Sequence, residues 1–189
     1  RFQGQLTDGG TTRLEIEYAG EIAEANVAPL TIAVLKGFLE RSQANCNMVN
    51  APVLAQELGI KLIESRSSHA VDFASSIKVT TSGAKDRLVG GAIFHGSQPR
   101  IVRVDDFMLE AIPEGPTLLL HNHDQSGVVG TVGTILGEAG VNISRMQLAL
   151  VPERSEAAML VNVDPLPSEK VIDELRKVPH VMTVKLLEL

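Results

Sequence analysis

At 189 residues the chain has room for one large domain or two small ones, and its 44% hydrophobic and 21% charged residues are ordinary for a globular protein. A formal charge of −6 with no Lys/Arg-rich run argues against a nucleic-acid partner, and 3% aromatics with no Trp leave few platforms for stacking bases. No apolar stretch approaches the roughly 20 residues that span a bilayer, which argues against a membrane partner. The first residues do not read as a signal peptide. The single Cys46 excludes an intrachain disulfide framework and suits a reducing cytoplasm, where the protein is expected to reside. The chain starts at Arg1 rather than Met, so it reads as an excised piece of something longer.

In chain order, Leu6 to Gly10 reads as a turn and Arg13 to Tyr18 alternates as a strand. Pro29 opens a helix over 30–39, with Leu30, Val34, Leu35 and Phe38 on one side. Asn50-Ala51-Pro52 opens another helix that stops at Gly59. Short strands are expected over 60–64, 77–81, 88–94, 101–104 and 108–112, with a turn at Thr81-Ser82-Gly83-Ala84. Two prolines and a glycine in Pro113-Glu114-Gly115-Pro116 then interrupt every pattern and divide the chain into domains at 1–114 and 115–189.

The second part is tidier. Leu118 to His121 reads as a buried strand, and a polar turn from Asn122 to Gly127 leads into a helix. Val128, Val129, Val132, Ile135, Leu136 and Ala139 form its apolar face, with Ser126 as N-cap and Gly140 as stop. Strands follow over 141–151 and 157–163, with a turn at Glu153 to Glu156. A second helix carries Val171, Ile172, Leu175 and Val178 on one face, Pro179 ends it, and the last strand spans 181–187. The whole is an α+β chain of two domains. The second is a ferredoxin-like βαββαβ unit with a four-stranded antiparallel sheet and both helices on one face.

Catalytic patterns are missing. No Gly-x-Gly-x-x-Gly follows a strand, and there is no Walker loop and no Cys/His zinc pattern, so neither a catalytic residue nor a metal site is assigned. Gly130, Gly133 and Gly137 recur along one helix as a strip without side chains, which permits close approach by another backbone. His121, His123 and Asp124 suggest a metal cluster, but only His121 and His123 share a side of the strand, and no third ligand at metal spacing is evident. Ser68 and His69 point opposite ways on an extended segment, which argues against a nucleophile set of Ser67, Ser68, His69 and Asp72. Cys46 reads as a spare small side chain.

The best site is the turn before the first helix of the second domain. A helix N-terminus offers unpaired amides and partial positive charge, so a carboxylate would sit against the amides around Gly127 and Val128. Asp124 offers an anionic partner for an ammonium group. Asn122 and Asn142 offer amides, Asn142 from a strand expected close to this loop. Together these describe a free α-amino acid; the alternative is that Asp124 and Ser126 merely cap the helix.

The stretch LHNHDQSGVVGTVGTILGEAGVNIS, from Leu120 to Ser144, resembles the ACT domain of bacterial D-3-phosphoglycerate dehydrogenases. Glu17-Tyr18-Ala19-Gly20, Val49-Asn50-Ala51-Pro52 and Pro99-Arg100-Ile101-Val102 resemble the intervening domain of the long form of that family. The resemblance implies a regulatory region of an NAD-dependent oxidoreductase of serine biosynthesis, with NAD held by catalytic domains outside this chain. It implies L-serine as feedback effector at a dimer interface, with Asn122, Asp124 and Asn142 as effector residues. Asn122 stands where some members have His or Tyr, and Ser126 where many have Pro. Arg100 takes the place of a cation at an anion site of the intervening domain, while Glu110 falls where such a site has Arg. Iron–sulfur serine dehydratases pair related domains, but their cluster cysteines are absent. The rival readings are an assembly module without ligand and a metal-dependent enzyme using His121, His123 and Asp124.

Overall fold

A computed structural model describes residues 1–7, 10–69 and 72–189, which form two units, Arg1–Asp105 and Asp106–Leu189. Asp8 and Gly9 of the first expected turn lie outside the described residues.

In the first unit, alternation in β1 (Arg13–Gly20) sends Leu14, Ile16 and Tyr18 to one face, where all three are fully buried. Glu15 and Glu17 face the other way; they pair with Arg13 and Lys78. β2 (Lys61–Ser67) runs parallel to β1, while β3 (Ser75–Ser82), β4 (Arg87–Phe94) and β5 (Gln98–Val104) continue antiparallel, giving the order β2-β1-β3-β4-β5. The apolar face is covered by α2 (Ala28–Leu39), through Leu35, Phe38 and Leu39, and by α3 (Ala51–Glu57), through Ala51 and Ala55. Tyr18 closes this core, its hydroxyl 2.8 Å from that of Thr31; burial pushes its phenol pKa up, partly opposed by that hydrogen bond.

Both expected helices and the hairpin turn after Thr81 are present. A five-residue helix, α1 (Phe2–Leu6), goes beyond the expected elements. It is too short for a periodic signal, yet it buries Phe2 and Leu6 and sends Gln3 to Thr81 Oγ1 at 2.7 Å and Arg87 O at 3.0 Å.

The second unit begins with β6 (Phe107–Ala111) and then takes the βαββαβ order: β7 (Pro116–His123), α4 (Val128–Glu138), β8 (Asn142–Val151), β9 (Glu156–Asp164), α5 (Glu169–Arg176) and β10 (Val181–Glu188). The sheet is antiparallel throughout, in the order β10-β7-β9-β8. Leu118, Leu120, Met159, Val161 and Val163 meet Val132, Leu136, Ile172 and Leu175 in one core. Such burial is the main stabilising term in a domain with so few aromatics. At the unit's start, Asn162 Nδ2 reaches Glu114 O at 2.9 Å and Thr117 Oγ1 at 3.0 Å. The first ties the segment before β7 to β9, and the second ties β7 itself to β9.

Two expectations for α4 are corrected. Its N-cap is Gly127, in the left-handed region at φ 91°, with no side-chain cap bond. Ser126 therefore does not cap it. The turn into the helix needs a positive φ, which glycine adopts without strain. Val129 and Ala139 lie outside the buried stripe, which is Val128, Val132 and Leu136. No neighbouring atom outside the helix lies within 4 Å of where a side chain would begin at Gly130, Gly133 or Gly137.

Candidate functional site

The loop from Asn122 to Gly127 is shaped by strand alternation. Leu118, Leu120 and Asn122 share the helix-covered face of β7, so Asn122 is carried into the rim of the core and is only 2% exposed. Its Nδ2 donates to His123 O at 2.7 Å, while its Oδ1 is buried with no hydrogen-bond partner. A buried acceptor without a donor is costly and uncommon, so this oxygen is poised to receive one. Asp124 follows with its amide fixed to Ser155 O at 2.8 Å and its side chain exposed. Among the described residues no cation pairs with that carboxylate. After the left-handed turn at Gly127, the amides of Val129 and Gly130 have no acceptor among the described residues, and that of Val128 reaches Gln125 O only at 3.5 Å. The loop thus carries a buried acceptor and an exposed carboxylate and leads into a helix start with open amides.

Asn142 does not join them within one chain. It opens β8 opposite Asp164, whereas His123, at the loop, lies opposite Glu156 at the other end of β9. The nine residues from Glu156 to Asp164 span roughly 26 Å of strand. The expectation that Asn142 begins a strand close to the loop is therefore wrong. The helix α4 runs back along the sheet, so the strand after it starts at the far end.

His121 and His123 share the other face of the sheet. His121 lies edge-on to Phe107 at 5.1 Å, with its Nε2 3.2 Å from Glu156 Oε2. Glu156 also faces Arg154 Nε at 3.3 Å. The sequence pattern marks this corner only as a turn and does not reveal these contacts, because pairing across strands needs the register. Among the described residues no three His, Cys, Asp or Glu side chains gather as a metal site, and no helix is long and apolar enough to cross a membrane. Ser67 Oγ bonds the backbone of His69, which leaves the segment as a turn. Burial pushes the Cys46 thiol up, with Lys36 opposing in part, so it is less thiolate than a free cysteine.

In the first unit, Arg100 donates Nη1 to Pro99 O at 3.0 Å and Nη2 to Gln98 Oε1 at 2.9 Å, and lies over the Phe94 ring at 5.9 Å. Glu110 belongs to the second unit, exposed on β6.

The unpartnered Oδ1 yields a direct stability test. Replacing Asn122 by leucine removes a buried acceptor that has no donor, and the freed His123 backbone lies at the exposed end of the strand. Without ligand, Asn122→Leu is expected to raise stability by about 1 kcal/mol. A lower calorimetric melting temperature would show that the oxygen is already satisfied.

Residues 1–105 match the family model of the D-3-phosphoglycerate dehydrogenase intervening domain, and residues 117–180 match the ACT domain. The chain is 33% identical over 187 residues to D-3-phosphoglycerate dehydrogenase of Methanocaldococcus jannaschii, covering 98% of this chain and 35% of that protein. It is 35% identical over 177 residues to the Bacillus subtilis protein of the same name, covering 92% of this chain and 34% of the relative. To that of Synechocystis it is 33% identical over 190 residues, with 97% and 34% covered. The chain thus spans about a third of the length of these relatives. It belongs to the D-3-phosphoglycerate dehydrogenase family, of which it carries the intervening domain and the ACT domain.

Proposed function

We propose that this chain is the regulatory region of an NAD-dependent D-3-phosphoglycerate dehydrogenase of the cytoplasm, and that its second domain binds L-serine between two copies of the chain. The observation that carries this reading is the buried, unpartnered Oδ1 of Asn122 beside the exposed Asp124 carboxylate and the open start of α4. A free amino acid matches all three. Its carboxylate sits against the open amides at the start of α4, after Gly127 and Val128, its ammonium meets Asp124, and a side-chain hydroxyl satisfies Asn122. Asn142 completes the pocket from the second copy, because its own chain holds it at the far end of the sheet.

The exposed Val129, Leu148 and Leu150 lie along the outer flank of this domain, on α4 and the edge strand β8. An edge strand with apolar side chains favours pairing with another copy, so the chain is at least a dimer through this domain. NAD and the chemistry belong to catalytic domains outside this chain, which itself has no dinucleotide-binding turn. Ligand binding favours one arrangement of subunits, and the intervening domain passes that preference to the catalytic domains. Such coupling is typically worth about 1–3 kcal/mol.

Calorimetric titration with L-serine, against glycine and D-serine, tests the reading. L-serine is expected to bind saturably, and Asp124→Ala to weaken it by about 10- to 150-fold, the value of a charged hydrogen bond. A folded dimer that takes up no L-serine at millimolar concentration would leave an assembly module without ligand.

A further inference from the structure

Asp105 closes the first unit and Asp106 opens the second, with no residue between them. Asp105 is held within its own unit. Its Oδ1 accepts the Leu88 amide at 2.9 Å, its Oδ2 lies 3.1 Å from Arg87 Nη1, and its carbonyl accepts Arg103 Nε at 2.7 Å. Asp106 is held by the second unit, where Arg154 Nη1 donates to its Oδ2 at 2.8 Å.

Arg154 stands at the corner between β8 and β9, and the two residues after it make contacts with β7 and the loop that follows it. Glu156 Oε2 lies between Arg154 Nε and His121 Nε2, and His121 immediately precedes Asn122. Ser155 sits in the left-handed region at φ 51°, and its carbonyl holds the Asp124 amide. Three consecutive residues thus grip the first residue of the unit, the strand end and the loop.

We infer that the corner Arg154-Ser155-Glu156 couples the loop at Asn122–Asp124 to the junction at Asp105–Asp106, with Arg154 as the positioning residue. A displacement of the Asp106 carboxylate moves the Arg154 guanidinium, and the next residue, Ser155, supplies the carbonyl that anchors Asp124. In the other direction, a ligand that fixes Asp124 fixes Ser155 and with it the orientation of Arg154 toward the junction. Each exposed ion pair alone is weak. Their shared placement on one strained corner makes them move as a set. The ligand half of this inference rests on the amino-acid reading of the loop; the mechanical half does not.

Hydrogen exchange on the whole chain separates the two. Without ligand, Asp106→Asn and Arg154→Ala are each expected to speed amide exchange across 122–126 by about two- to fivefold, the range of one exposed ion pair. Asp173→Asn, which removes the exposed pair with Arg176 on α5, is expected to leave that loop unchanged. With L-serine, the unaltered chain is expected to slow exchange over 106–111, and Arg154→Ala to bind L-serine without that slowing. Unchanged loop exchange in both variants overturns the coupling, whatever serine does. Faster loop exchange in a chain that ignores L-serine upholds the coupling and removes only the ligand reading. Slowing over 106–111 that persists in Arg154→Ala removes Arg154 from the path.

Discussion

Leu136→Ala is expected to destabilise the second unit by about 2–5 kcal/mol, a large share of the stability of so small a domain. Leu136 is fully buried on α4, among Leu118, Leu120, Val132 and Met159, and none of these is a flexible surface side chain that could swing in. The loss therefore combines the transfer of three methylene-sized groups with the void they leave. For a unit of this size roughly 3 kcal/mol corresponds to about 15 °C in melting temperature. The chain supplies its own means of locating the effect. Its one tyrosine, Tyr18, is buried in the first unit, and there is no tryptophan. Near-ultraviolet absorption of Tyr18 reports the first unit, while far-ultraviolet circular dichroism reports both. The variant is expected to shift the dichroism transition and leave the Tyr18 transition in place. Coincident shifts would mean that the two units unfold as one.

Gly4→Ala is expected to act on the other unit. A β-carbon at position 4 would lie 2.2 Å from the carbonyl oxygen of Phe38 and 3.0 Å from its carbonyl carbon. Both atoms belong to the backbone of α2, so the contact cannot be relieved by a rotamer change. The helix α1 must lift, which exposes Phe2 and Leu6 and strains the two bonds from Gln3 to Thr81 and Arg87. Alanine in place of glycine inside a helix gains about 0.5–1 kcal/mol. Overpacking against a fixed backbone costs about 3 kcal/mol and decides the sign. Thermal unfolding followed at Tyr18 checks it. A suitable control is Gly137→Ala on α4, where no neighbouring atom outside the helix would meet the new methyl. That variant is expected to be neutral or slightly more stable, and a Gly4→Ala chain that behaves the same way would disprove the close approach.

The second domain is legible in the sequence because its signals are long and regular. β7, α4 and α5 carry apolar residues at strand or helix spacing, and Gly140 and Pro179 punctuate the helix ends. The cap of α4 is easily misread because Ser126 has the right chemistry one position too early, and only the positive φ of Gly127 distinguishes them. The first unit is harder. Its strands are bounded correctly in outline, but the parallel pairing of β1 with β2 requires a crossover that no local pattern announces. α1 is invisible because five residues cannot display a period. At the candidate site, Asp124 and Gly127 are readable from local chemistry, while the solitary Oδ1 of Asn122 depends on which face of β7 it shares. The position of Asn142 escapes the sequence for a topological reason: nearness in the element order is not nearness in space.

That displacement of Asn142 has a consequence in symmetry. Suppose two copies meet about a twofold axis so that the loop of one faces the start of β8 in the other. The same operation then brings the second loop to the first copy's Asn142. Pockets of this kind arise only in pairs, one toward each end of the joined sheets, and neither copy owns a complete one. A dimer with one pocket filled is necessarily asymmetric, although its two chains are identical. Filling the second restores the axis.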